Sequence, residues 1–192
     1  MTSLGRFTLL ASGERFYVHH PDKSNYTLHD MALGIARQCR FNGQFAGYMG
    51  QSYSVAQHSI LVDDIVDVLM GAQDARPWAI LHDAPEGIIG DMITPVKAHC
   101  PEFYNIENLL EADMLRRVGV SVDDRIRDIV KWADIIACSM EAEELSGFTH
   151  EDWGLPKPPC SIRDMYPDFR VWDIDEAYEY FVSRATKLVG YF

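Results

Sequence analysis

The sequence has few cysteines and few basic residues, and both shortages limit what the protein can be. No two of the four cysteines form a C-x-x-C pair; they are Cys39, Cys100, Cys138 and Cys160. Neither a zinc knuckle nor a disulfide framework is therefore indicated, and we expect buried free thiols. Only 17 basic residues stand against 29 acidic ones, which leaves a net charge of −12. Such a field repels nucleic-acid polymers and anionic membranes, so we expect neither as a partner.

Long apolar runs and common nucleotide-binding motifs are also missing. The first ten residues show no apolar stretch behind a basic start, and no run is long enough to span a bilayer. We therefore expect a cytoplasmic protein. The chain has no G-x-x-x-x-G-K-[ST] loop, which removes the commonest route to triphosphate binding. No G-x-S-x-G turn supports a serine hydrolase.

Helix signals dominate what is present, so the predicted fold class is mostly α with a short N-terminal β-hairpin. Apolar segments on both sides of Ser12-Gly13 predict the hairpin. Thr27, with Asp30 three residues later, and Ser54 are predicted to cap the first two long helices. Apolar periodicity and helix-ending residues predict further helices at about 102–119, 122–146 and 175–189.

The length and apolar content suit one domain. With 192 residues and 47% hydrophobic content, the chain can bury a sizeable core, and we expect a single domain over 1–192. Prolines without a clear period predict an ordered loop at about 147–172, before the C-terminal helix.

The pair His82-Asp83 is the most informative feature of the chain. It lies in an apolar run from Trp78 to Glu86, which predicts one continuous helix with Pro77 in its first turn. An imidazole and a carboxylate buried without partners would cost several kcal/mol, so a bound metal ion is a good explanation.

Distant residues could complete a metal site with this pair. The candidates are His58 and Asp134, which lie on two other predicted helices. Two imidazoles and two carboxylates suit Mn, Co, Fe, Ni or Zn better than Ca or Mg.

A further carboxylate is placed to handle water. Glu86 follows His82 by four residues, so on one helix it would share the same face a turn further on. That position suits a group that orients or deprotonates the attacking water without binding the metal. Asp91 is a second candidate for such a role. The acidic run from Glu141 to Glu144 is expected to be a solvated helix face.

Several separate blocks, in order, resemble one family. His58, His82-Asp83 and Asp134 follow the H…HD…D pattern of the HD-domain metal-dependent phosphohydrolases. The wider blocks are similar to a small branch that includes bacterial 5′-deoxynucleotidases and phage dATP triphosphohydrolases. These blocks are Arg40 to Gln44, Tyr53 to Ser59, Leu81 to Lys97 and Lys131 to Asp134. The similarity runs from about 15 to 145.

The resemblance implies an HD-domain helical fold, a homo-oligomer of at least two chains and one catalytic divalent transition-metal ion. A second ion, Mg, could accompany the substrate phosphates. By resemblance, Glu86 and Asp91 serve the water and the leaving group. The implied metal ligands are His58, His82, Asp83 and Asp134.

The resemblance also implies how substrate is held. Arg40, Lys97 and Lys131 would contact phosphate, although each alone is explained as well by an ordinary surface role. Phe41 would pack near the nucleoside. The interval from Arg40 to His58 is a few residues longer than in characterised relatives, at the wall that would select the base.

The expected partner is a small-molecule nucleotide. A deoxynucleoside triphosphate, dATP first, cleaved to deoxynucleoside and triphosphate, is the leading expectation. A 5′-deoxynucleotidase acting on monophosphates is the close alternative. A nucleotide sensor without turnover is the alternative from another class, and Glu86 counts against it because a pure binder needs no water-handling carboxylate.

Overall fold

Helices form most of the structure, which confirms the predicted mostly-α class. The structure is a computed structural model that describes residues 4–44 and 52–192. Its helices are α1 (Leu28–Arg37), α2 (Val55–Ile65), α3 (Arg76–Leu81), α4 (Glu86–Ile89), α5 (Thr94–Lys97), α6 (Pro101–Val118), α7 (Asp124–Ser146), α8 (Cys160–Met165) and α9 (Ile174–Val189). A π-helical turn, Val66–Met70, extends α2.

The predicted N-terminal hairpin is present but short. Strand β1 (Thr8–Leu9) pairs antiparallel with β2 (Arg15–Phe16), and Thr8 lies opposite Phe16. The turn between them includes Gly13 at a φ of 85°, a left-handed conformation that glycine adopts without strain.

Side-chain caps begin α1 and α2 where the sequence predicts them, and a third cap that was not predicted begins α7. The Thr27 side chain accepts a hydrogen bond from the amide of Asp30, whose carboxylate accepts one from the amide of Thr27. This reciprocal capping box begins α1. Ser54 caps α2 by accepting from the amide of Gln57, and Asp123 caps α7 in the same way.

Helix α2 runs through the interior. It packs against α1, α3, α7 and α9, and nearly all of its residues are buried. The one fully buried acidic side chain on it, Asp63, accepts hydrogen bonds at 2.8 Å from the guanidinium of Arg76 on α3. Burial of α2 places its polar residue His58 inside the molecule.

The helix predicted to carry His82 and Asp83 is interrupted. Helix α3 ends at Leu81, and α4 begins only at Glu86. Pro85 has no amide hydrogen to donate to the Leu81 carbonyl, and its ring crowds that carbonyl. Tighter turns replace the helix, as where the amide of Glu86 donates to the carbonyl of Asp83 at 3.1 Å. The prediction of one continuous helix is therefore wrong, and the pair lies in a turn.

Two glycines let α4 sit directly on α1. A Cβ atom at Gly34 would lie 1.9 Å from the carbonyl oxygen of Gly87, and a Cβ atom at Gly87 would lie 2.3 Å from that of Met31. No side chain fits at either position, so the two backbones are in contact. This contact fixes how far Glu86, the residue before Gly87, lies inside the protein.

The proline-containing segment at 147–172 includes the short helix α8, which the sequence did not predict. All four cysteines are free thiols, but the expected burial is wrong: Cys39, Cys100 and Cys138 are half-buried, and Cys160 is exposed. Within residues 4–44 and 52–192, the structure contains no helix that is both long and apolar enough to cross a membrane.

Candidate active site

Two histidines from different parts of the chain face each other inside the protein. The rings of His58, on α2, and His82, just after α3, have centroids 5.4 Å apart. The Nδ1 atom of His58 lies 2.6 Å from Oε1 of Glu141, and that of His82 lies 2.8 Å from the carbonyl oxygen of Ala79. Both Nε2 atoms are buried and lack a hydrogen-bond partner among the described residues. An acceptor that fixes one ring nitrogen and leaves the other available is typical of metal-binding histidines.

Carboxylate oxygens lie close to both Nε2 atoms, although no hydrogen bond of good geometry joins them. Nε2 of His58 is 3.1 Å from Oδ1 of Asp134, and Nε2 of His82 is 3.2 Å from Oδ2 of Asp83. One ligand atom each from His58, His82 and Asp134 lie within 4.8 Å of one another. The structure therefore brings all four predicted ligands together, and this mixed nitrogen and oxygen set fits a divalent transition-metal ion.

Charge in this cluster is balanced by close ion pairs. Burial raises the pKa of Asp83, but His82, His58 and Arg40 outweigh burial and hold this pKa below its usual range. Burial and Arg40 lower the pKa of His58, yet the carboxylates of Glu141 and Asp134 raise it to about 9. A divalent ion would supply the positive charge that a protonated imidazole supplies otherwise, so metal ions and protons compete for this cluster.

Glu141 is fully buried, so the prediction of a solvated face is wrong for this residue. Besides His58, its carboxylate accepts hydrogen bonds from Tyr53 Oη at 3.0 Å and from Arg40 Nε at 3.1 Å. It follows Asp134 by seven residues on α7, about two helical turns, so both side chains point the same way. That spacing is the signal that could have identified it.

A cavity of about 570 Å³ opens beside the histidines. Among the residues that line it are both candidate catalytic carboxylates, Glu86 and Asp91, together with Asp83 and Asp134. Glu86 is buried, and its Oε2 has no hydrogen-bond partner within the described part of the chain. Burial and the charges of Asp83 and Asp91 raise the pKa of Glu86 well above its usual range. Burial likewise raises the pKa of Asp91.

Two of the three predicted phosphate-binding residues reach this cavity. Arg40 lines it, with Nη1 3.7 Å from Oδ2 of Asp83 and Nη2 3.1 Å from Oε2 of Glu141. Lys97 also lines it, but its Nζ lies 2.5 Å from Oε1 of Glu107. Lys131 is exposed on α7 and is not among the described residues of the lining.

An aromatic pair forms part of the cavity wall. Phe41 and Trp153 both line the cavity, and their rings meet edge to face with centroids 5.5 Å apart. Phe41 has a φ of 55° and Asn42 a φ of 52°, left-handed values that are uncommon and strained for residues with side chains. Sequence reasoning did not single out Trp153, because nothing local marks it. Part of the longer interval between Arg40 and His58 lies outside the described residues.

The fold and this cluster define a helical protein with a candidate metal centre beside an acidic cavity. Comparison with known proteins adds the family. The chain is 35% identical to an uncharacterized protein of Rhodobacter capsulatus, over 78% of this chain and 80% of that protein. It is 30% identical to the uncharacterized protein YfdR of Escherichia coli, over 70% of this chain and 69% of YfdR. The chain belongs to the family that these two proteins represent.

A third similarity is to a protein with a named activity. The chain is 28% identical to a 5′-deoxynucleotidase of Photorhabdus laumondii, over 51% of this chain and 64% of that protein. No family model matches the chain.

Proposed function

We propose that the chain is an HD-domain phosphohydrolase that removes the 5′-phosphate from deoxyribonucleoside monophosphates with the help of one divalent transition-metal ion. The observation that carries this proposal is that the buried Nε2 atoms of His58 and His82 make no hydrogen bond of good geometry within the described residues and lie against the carboxylates of Asp134 and Asp83, beside a cavity lined by Glu86 and Arg40. The similarity to a 5′-deoxynucleotidase supports the substrate class.

The four clustered side chains would hold the ion, and they are His58, His82, Asp83 and Asp134. A bound divalent ion would polarise the phosphoryl group and lower the pKa of water at the site. The carboxylates of the set also offset the charge of the ion, so it can be held in a largely buried place.

The chain's own residues then supply binding and proton transfer. Arg40 donates charge-assisted hydrogen bonds to the phosphate oxygens. The raised pKa of Glu86 would fall once a bound divalent ion offset the charges of Asp83 and Asp91. The Glu86 carboxylate then accepts a proton from the attacking water while the water oxygen forms its bond to phosphorus. Asp91, whose pKa burial raises, gives a proton to the 5′ oxygen as the phosphorus–oxygen bond breaks. One water and one phosphomonoester yield orthophosphate and a deoxynucleoside.

The aromatic pair gives this reaction a place for the nucleoside. Phe41 and Trp153 line the same cavity as the carboxylates, and a base can pack against such rings. Leu155 and Ile135 extend the apolar part of the same lining.

Hydrolysis of a deoxynucleoside triphosphate is the second candidate. The presence of Lys97 in the lining and the volume of about 570 Å³ favour it, because both suit a larger anionic substrate. It ranks second because Glu107 already pairs with Lys97 and because Lys131 is exposed. A nucleotide sensor without turnover ranks third, since it gives no role to the buried Glu86, whose Oε2 has no hydrogen-bond partner among the described residues.

A substrate panel tests the proposal. The protein, loaded in turn with Mn, Co, Zn, Fe or Ni, is incubated with the four deoxynucleoside monophosphates, their ribonucleotide counterparts and dATP, and the products are resolved by chromatography. We expect orthophosphate and deoxynucleoside from monophosphates. Release of intact triphosphate from dATP, with slower cleavage of dAMP, would support the second candidate instead. Binding of nucleotides without products would support the sensor.

We also propose that the active form is a homo-oligomer, as the HD-domain resemblance suggests. Light scattering coupled to size exclusion measures the mass, and a monomer that retains full activity would contradict this part of the proposal.

A further inference from the structure

Lys97 lies at the cavity, but its ammonium group is held by α6. Nζ is 2.5 Å from Oε1 of Glu107. It also lies 5.6 Å from the ring centroid of Phe103 and 5.3 Å from that of Tyr104, within the range of cation–π attraction. All three partners belong to the first two turns of α6. The side chains of Lys97 and Glu107 are only 17% and 16% exposed, so solvent screens their attraction less than at an open surface.

The pairing of Lys97 with Glu107 matters because the described lining of the cavity has more acidic than basic side chains. Four carboxylates line it, namely Asp83, Glu86, Asp91 and Asp134. The cationic side chains in the described lining are Arg40 and Lys97. Arg40, which already faces Asp83 and Glu141, and the bound ion are the positive groups that would contact the first phosphate. A second or third phosphate needs another cation, and Glu107 offsets the charge of Lys97.

We propose that Glu107 is a specificity-determining residue that holds Lys97 against α6 and thereby restricts the cavity to nucleoside monophosphates. This inference rests on the proposed function and names the substrate class within it. Lysine has a flexible four-carbon stem and three donors, so a released Lys97 can reach a β or γ phosphate. Burial lowers the pKa of Lys97, but the hydrogen bond to Glu107 and the charges of Glu107, Glu86 and Asp83 together outweigh burial and raise it, so Lys97 is charged while Glu107 holds it.

Removal of the Glu107 charge should therefore admit longer phosphate chains. In Glu107→Gln, we expect dADP to bind about tenfold more tightly than in the parent protein, as one added charge-assisted contact predicts. The affinity for dAMP should stay within about twofold, because its single phosphate does not need Lys97. Calorimetric titration of the metal-loaded proteins with dAMP and dADP measures both.

Two further variants assign the effect to the released lysine. Adding Lys97→Ala to Glu107→Gln should return dADP affinity to the parent value. The matched control is Glu111→Gln, one turn further along α6, where the carboxylate pairs with Arg127 at 2.8 Å. That control should leave both affinities unchanged.

The binding test separates this inference from the proposed function. Absence of dAMP turnover in the parent protein would contradict the proposed function, while the dADP titrations would still test the role of Glu107. A folded Glu107→Gln protein with parent affinity for dADP would overturn the inference. A gain in dADP affinity that persists in the double variant Glu107→Gln, Lys97→Ala would also overturn the inference. If the parent turns over dAMP, the ratio of kcat/KM for dATP to that for dAMP should also rise about tenfold in Glu107→Gln.

Discussion

Nδ1 of His58 lies 2.6 Å from Oε1 of Glu141, and both side chains are fully buried. This contact joins α2 to α7 at the candidate metal centre. With Nδ1 engaged, the ring can turn only a little, so Nε2 remains directed at the carboxylates of Asp83 and Asp134. A buried acceptor also makes an imidazole a better metal ligand.

Replacement of this acceptor should weaken metal binding without removing a ligand. In Glu141→Gln, we expect the affinity for a divalent transition-metal ion to fall about 10- to 100-fold, the usual effect of losing such an outer partner. Competition with a chelator of known affinity measures it. Glu144→Gln is the control, since Glu144 lies on the same helix but pairs with Arg163 near the surface. Unchanged affinity in folded Glu141→Gln would show that the contact is only structural.

Metal content should follow the histidine and carboxylate cluster. Elemental analysis of gently purified protein should find about one first-row transition ion per chain, and EDTA should remove it together with activity. We expect His82→Ala and Asp134→Ala each to lose most of the ion. His99→Ala, at an exposed histidine, should keep it. Full metal content in both cluster variants would place the ion elsewhere.

Glu86 should be needed for turnover and not for the ion. Because its proposed task is to take a proton from water, Glu86→Gln should lower kcat by roughly 100-fold or more. Metal content and the thermal midpoint should change little, as the substituted amide keeps the size of the side chain. Steady-state kinetics and elemental analysis on the same sample measure both. Loss of the ion with the activity would make Glu86 a ligand.

Asp113 should stabilise the fold in a pH-dependent way. It is buried and accepts hydrogen bonds from Tyr26 Oη at 2.8 Å and Arg117 Nε at 2.7 Å. Burial raises its pKa, but Arg116, Tyr26 and Arg117 outweigh burial and lower the pKa below the usual 3.8. Its contribution is therefore complete above pH 3.8 and lost as the pH falls through the folded-state pKa.

Urea unfolding of Asp113→Asn at several pH values tests this. We expect the variant to be less stable than the parent by about 2 kcal/mol at pH 7, and the difference to shrink below pH 4, which is roughly the unfolded-state pKa. Glu102→Gln, at an exposed position on the same helix, should show neither effect. If the difference in the free energy of unfolding stayed constant with pH, the charge of the Asp113 carboxylate would not be what stabilises the fold.

Local signals predicted much of the fold. The caps at Thr27 and Ser54 and the ends of α6 and α7 were found because each depends on neighbours within a few residues. The break between α3 and α4 was missed because the apolar pattern continues through Pro85 and hides the lost hydrogen bond.

The candidate site was predicted only where its motifs are ordered along the chain. The resemblance to the H…HD…D order named the four side chains that lie close together, and Arg40 and Phe41 also line the cavity. Glu141 was misplaced because its burial depends on Arg40 and His58, which are 101 and 83 residues away. Trp153 and Glu107 are ordinary in their local sequence, and only folding brings them to the aromatic wall and to Lys97.

The backbone contact between Gly34 on α1 and Gly87 on α4 fixes the position of α4 beside the candidate site. Side chains in a core can repack when one of them changes size, and neighbouring groups then drift by tenths of an ångström. Main-chain atoms of Gly34 and Gly87 are in contact with no side chain between them. A change in side-chain packing therefore has no room to shift α4 relative to α1 at this point. The interior can thus accumulate substitutions over evolution while Glu86 keeps its distance from the histidines, provided that both glycines are retained.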